Sequence, residues 1–187
     1  MPVLKGNKVI AIENVPLGLF LLMRFNQMKP PFNNPAIRRA VMMAINQTDY
    51  MEAVVGNKDY YKEAKTFFTP GAPMSTGTGG AGAMQGNLEK AKAMLKEAGY
   101  KGEKIILLAP GDQPIAYQQC LITEDLFKRL GMNAELVATE WASFIGRRAN
   151  RGLAELGGWS CFPTLWSCAD TLYPALHPLI RANGGTA

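Results

Sequence analysis

The sequence predicts an α/β fold, a mixed and mostly parallel sheet flanked by helices. Three observations carry this. Short apolar runs such as "KIILLAP" (104–110) and "NAELVAT" (133–139) alternate with stretches of helical period. Helix starts and stops are punctuated by Asn, Pro and Gly at capping positions. The composition, 48% hydrophobic and 19% charged over 187 residues, is that of a globular chain long enough to bury one core.

From the N-terminus, "KVIAIE" (8–13) and "LGLFLLMRFN" (17–26) read as strands, β-branched, aromatic and apolar. Asn34 caps a helix with Pro35 in its first position, and Ile37, Val41, Met42 and Ile45 recur at helical spacing. A second helix is capped by Asn46 with Asp49 three residues on, and stops at Gly56. Residues 71–86 are expected to be a flexible Gly-rich loop. Within it "GTGGAG" satisfies a dinucleotide pattern by letter, but "FFTPGAPMST" before it is not a strand, so the phosphate reading fails on context.

"NLEKAKAMLKEAGY" is a helix capped by Asn87, with a Leu88, Ala91, Leu95 stripe and Gly99 at its end. Residues 104–110 form a buried strand. The next helix turns Ile115, Cys120, Leu126, Phe127 and Leu130 mostly inward and ends at Gly131. Residues 133–139 form a strand, "EWASFIGRRANRG" a short helix ending near Gly152, and "LAELGGWS" (153–160) the last strand. The stretch beyond that strand, through Asp170, is then a loop leaving a strand's carboxyl end, where such sheets bind ligands.

The formal charge of +5 is spread over Lys5, Lys8, Arg38, Lys62, Lys90, Lys128 and Arg147, without a block or stripe, so no nucleic-acid partner is expected. The N-terminus lacks a signal-peptide pattern, and the longest apolar run, 17–23, is too short to span a bilayer. Three readings stay open: a cytoplasmic protein, a mature product, or a piece of a longer chain.

"RFNQMKPPFNNPAIRRAVMMAINQTDYMEAVVG", "FFTPGAP", "NLEKAKAMLKEAGY", "LGMNAELVATEWASF" and "GGWS" occur in that order. Together they resemble the family 5 extracellular solute-binding proteins, the dipeptide/oligopeptide-type receptors of ABC importers. The resemblance implies a periplasmic-binding-protein-like (type II) lobe, a single domain over 1–187 forming most of the C-terminal lobe of a two-lobed receptor. It implies a periplasmic or extracellular address. It implies capture of a small ligand between this lobe and a missing N-terminal lobe, and delivery to an ABC transporter permease, with no catalytic residue, no metal and no cofactor. By position in the family pattern Trp141, Ile145 and Arg148 line the cleft from one helix. Trp159, Ser160, Cys161, Phe162 and Trp166 join them from the "GGWSCFPTLW" stretch. Peptide-binding members place an aspartate three residues beyond the tryptophan, where it holds the peptide's amino group. Here Phe162 stands in that place, and the expected ligand is not a free-amino-terminal peptide.

Rival readings remain. Cys161 and Cys168 are open to disulfide pairing, while Cys120 reads as core. A cysteine hydrolase would need Cys161 or Cys168 with His177, the single histidine, as base. A zinc site lacks ligands. A non-catalytic interaction domain would use methionines such as Met42, Met43 and Met51, which read instead as filling for the core.

Overall fold

The computed structural model describes residues 6–11, 18–78, 80–173 and 175. Strand β1 spans Leu19–Phe25. Helix α1 (Pro35–Ala44) begins where Asn34 Oδ1 accepts the Ala36 N–H at 2.9 Å, and it buries Ile37, Ala40, Val41, Met43 and Ala44. Helix α2 (Gln47–Val54) starts at Asn46, whose Oδ1 accepts the Thr48 N–H and whose Nδ2 donates to Asp49. The Gly-rich segment before α3 (Leu88–Glu97) is pinned to α1: the Met84, Gly86 and Asn87 N–H groups donate to the Met42, Ile45 and Met43 carbonyls. Asn87 caps α3 through the Lys90 N–H at 2.9 Å. Strand β2 (Ile105–Pro110), helix α4 (Pro114–Arg129), strand β3 (Ala134–Thr139), helix α5 (Trp141–Arg148) and strand β4 (Cys161–Ser167) follow among the described residues.

The sheet order is β1-β4-β2-β3. Strands β2 and β3 are parallel, β2 and β4 are parallel, and β1 lies antiparallel on β4 from Leu19↔Ser167 to Phe25↔Cys161. Period-two alternation sorts the side chains to two faces. One face carries Met23, Phe25, Ile105, Leu107, Leu136 and Cys161, packed with Phe32, Phe127 and the inner sides of α1, α3 and α4. The other carries Leu108 and Phe162, packed with Trp159 and with Phe144 and Ile145 of α5.

Four expectations are corrected. Residues 8–11 are turn and coil rather than strand, because Asn7 closes a turn onto the Val9 and Ile10 N–H groups; Ile12 and Glu13 lie outside the described residues. Ile115, in the first turn of α4, is exposed rather than inward. Helix α5 ends at Arg148, short of Gly152, where Asn150 Oδ1 takes the Gly152 N–H at 2.7 Å. The largest correction concerns the last strand. Residues 154–156 form a 3₁₀ turn and the strand is Cys161–Ser167, inside the stretch read as a loop. The two glycines explain it. Gly157 sits at φ +83, and a Cβ on Gly158 would meet the Gly152 and Leu153 carbonyl oxygens at 2.5 and 2.7 Å. The chain reverses there, before the strand begins.

Candidate functional site

The α5 face of the sheet holds a continuous aromatic layer. The Trp141 ring stacks on Phe144 at 5.3 Å and 13°. Phe144 meets Phe162 edge-on at 5.2 Å, and Trp159 lies tilted against Phe162 at 4.8 Å. Such contacts add roughly 0.5–1.5 kcal/mol per pair beyond area burial. The layer forms because α5, crossing from the end of β3 back toward the start of β4, presents Phe144 and Ile145 to the sheet.

Hydrogen bonds fix the entry into β4. The Trp159 indole Nε1 donates to the Arg148 carbonyl at 2.9 Å, and the Trp159 carbonyl accepts from Asn26 Nδ2 at 3.0 Å. Arg147 Nε and Nη2 donate to the Gly158 carbonyl at 3.2 and 3.1 Å, and Nε also reaches the Gly157 carbonyl. Arg147 therefore clamps the Gly157-Gly158 reversal, a role that the dibasic pair Arg147-Arg148 did not reveal in sequence.

The structure unites part of the expected site. Trp141, Ile145, Trp159 and Phe162 share one cluster, and Arg148 sits on its rim through the indole bond. Accessibility divides them. Trp141 is 40% exposed, and Ile145 and Arg148 are half-buried. Trp159 at 8%, and Ser160, Cys161 and Phe162 at 1% or less, are sealed. Ser160 Oγ accepts the Ile106 N–H at 3.0 Å, and Cys161 turns to the opposite sheet face. Trp159 also lies two residues before β4 begins at Cys161, at that strand's amino end and not at a carboxyl end. The strand-end argument for Trp159 fails because the strand lies elsewhere. Trp166 shares the Phe162 face but lies four residues on, about 13 Å along the strand, opposite Phe20.

The sequence reading missed Arg24. It lies directly across from Phe162 in the β1/β4 register, with its guanidinium carbon 5.8 Å from the ring centroid. Burial, and then the positive charge of Arg148, pull the Arg24 pKa down. The signal was available: Arg24 is the only charge in the apolar run LFLLMRF.

The cysteine readings weaken. All three thiols are free and buried. Cys161 opens β4 and Cys168 comes just after its end, so about 23 Å of extended strand separates them, against a disulfide limit near 7 Å. Burial raises the Cys120 thiol to about 12, and burial with Cys120 nearby raises Cys161 well above 9.0, so neither supplies a thiolate near neutral pH. His177 lies outside the described residues. Among the described residues no His, Cys, Asp and Glu cluster suits a metal. No helix among them is long and apolar enough to cross a membrane. On the other side of the sheet a hollow of about 160 Å³ runs beside Asn46, Asp49, Tyr50, Asp125 and Arg129. It is small for a ligand site, and Asp125 already pairs with Arg129. Of the methionines, Met43 is core and Met42 is partly exposed.

Residues 1–179 match the family model for bacterial extracellular solute-binding proteins, family 5 Middle. The chain is 31% identical over 169 residues to the probable peptide ABC transporter periplasmic-binding protein y4tO of Sinorhizobium fredii, covering 88% of this chain and 31% of that protein. It is 30% identical over 185 residues to the dipeptide-binding protein of Escherichia coli, covering 89% and 33%. The chain thus spans about a third of the length of these curated relatives. Its fold resembles the dipeptide-binding protein from Pseudoalteromonas, solved in complex with Met-Leu, at TM-score 0.70 and 24% identity over 94% of this chain and 33% of that one. It also resembles the substrate-binding protein CtaP of Listeria monocytogenes, at TM-score 0.72 and 19% identity over 88% and 34%. This mixed α/β chain, matched along almost its whole length, belongs to family 5 of the bacterial extracellular solute-binding proteins.

Proposed function

We propose that this chain is a single-domain lobe of the substrate-binding component of an ABC importer, acting in the periplasm or outside the cell. It captures a small ligand against a second lobe and hands it to a membrane permease, and it breaks no bond in its cargo. The observation that carries this reading is the family match over residues 1–179. The ligand wall is the open rim of the aromatic layer: Trp141, Ile145 and Arg148, backed by the sealed Trp159 and Phe162, with Trp166 further along the same face. One wall buries only part of a ligand, so this chain alone binds weakly, and tight binding needs the second lobe. The ligand is not a free-amino-terminal peptide, because a buried ammonium set against Phe162 would lack a partner.

The test is mass spectrometry on the receptor released gently from its source. The expected result is one small molecule per protein, recovered chemically unchanged, and no tight binding of Met-Leu. Conversion of the bound molecule over time would contradict the reading.

A further inference from the structure

The α5 face carries two cations in an apolar setting. Arg24 belongs to a strand whose other residues are all apolar, and it is half-buried against the Phe162 ring. Arg148, in the last turn of α5, is tied to the same layer: its carbonyl takes the Trp159 indole N–H at 2.9 Å, and Trp159 packs 4.8 Å from the Phe162 ring that Arg24 covers. Neither β1, β4 nor α5 contains a single Asp or Glu. The five ion pairs among the described residues lie elsewhere, on Lys58, Lys92, Lys104, Lys128 and Arg129. Two carboxylates stand at the opposite, N-terminal end of α5 from Arg148: Asp112, from the loop after β2, accepts the Trp141 N–H at 2.9 Å, and Glu140 is the residue just before the helix.

A like-charged pair beside an aromatic layer is costly on its own. Desolvation weakens both ions, and each repels the other. The arrangement becomes favourable when an anion bridges them, because a guanidinium offers a planar fork that matches a carboxylate. The same rim supplies apolar area from Trp141 and Ile145 beside the charged pair.

We infer that Arg24 and Arg148 form the anion-binding head of this lobe, and that its ligand is an organic acid, a carboxylate carried on an apolar or aromatic body. This deepens the receptor reading and rests on it. Arg24 holds the carboxylate from the sheet side and Arg148 from the helix side, while the body of the ligand lies along Trp141.

The test is a titration of the chain with three probes of one shape: phenylacetate, phenylacetamide and phenethylamine. The arginine Nε–H and tryptophan indole signals are monitored by NMR. Phenylacetate is expected to shift the Arg24 and Arg148 signals and to bind about tenfold more tightly than the amide, the effect of one charge-assisted contact. Arg24→Gln and Arg148→Gln should each remove that preference, and Arg24→Lys should keep part of it. Because Arg148 lies on the helix rim, its variant keeps the fold if the Trp159 indole signal stays in place. Equal binding of the amide or the amine at these signals overturns the anion head and leaves the receptor reading standing. If no probe moves any signal of the α5 face, the anion head falls and so does the proposed ligand wall.

Discussion

The two faces of the sheet are built to different ends. The face under α1, α3 and α4 is closed: Phe32, Ile105, Leu107, Phe127 and Cys161 are all 0% exposed. Its aromatic pairs, Phe25 with Phe32 at 4.5 Å and Phe32 with Phe127 at 6.1 Å, tie β1, the turn after it and α4 together. The face under α5 is covered by one helix of eight residues, has an equally dry floor at Leu108, Phe144 and Phe162, and ends in an open rim with two arginines. Complete closure serves stability. On the proposed reading, the apolar floor with two arginines at its edge is the part of the molecule left for recognition.

The largest expected effect breaks the closed face. Phe127→Ala removes a ring from the core and should lower unfolding stability by about 3–5 kcal/mol, read by urea denaturation. If it cost under about 1 kcal/mol, the closed face would not be the principal core. A second effect sharpens the comparison through pH. The Cys120 thiol rises in the folded protein from its ordinary 9.0 to about 12, and Cys161 moves the same way. A group held above its unfolded value contributes stability that is fully present below that value. This contribution therefore declines from about pH 9 upward, with a limiting slope near 1.4 kcal/mol per pH unit for each thiol. Cys120→Ala should make the alkaline loss shallower; an unchanged slope would show that burial of this thiol is not what matters.

On the α5 face the expected effects are smaller. Trp159→Phe keeps a ring but orphans the Arg148 carbonyl, and should cost about 1–2 kcal/mol in the same denaturation experiment. Arg148→Gln should leave stability within about 0.5 kcal/mol, because its side chain makes no hydrogen bond or ion pair among the described residues. A stability loss as large as that of Phe127→Ala would place Arg148 in the framework and remove it from recognition.

Much of the framework was legible in sequence. Asn34, Asn46 and Asn87 announce α1, α2 and α3 because each side chain caps its own helix locally. The continuous apolar run of β2 announces a strand buried on both faces. The region after α5 was misread because "LAEL" looks like a strand by composition, whereas the reversal depends on the tight approach of Gly158 to the backbone of residues 152 and 153. That approach is tertiary and leaves only a pair of glycines in the sequence. The candidate site was half legible for the same reason. Helical spacing puts Trp141, Ile145 and Arg148 near one side of α5, but the pairing of Arg24 with Phe162 is set by the register of strands 138 residues apart in sequence.

The most direct measurement is a crystal structure of the receptor with the molecule it retains on purification. The account predicts that molecule unaltered on the α5 side of the sheet, its anionic group between Arg24 and Arg148 and its apolar body along Trp141. A ligand seated in the hollow beside Asp49 and Asp125, or one offering an ammonium to the two arginines' side of the sheet, would contradict it.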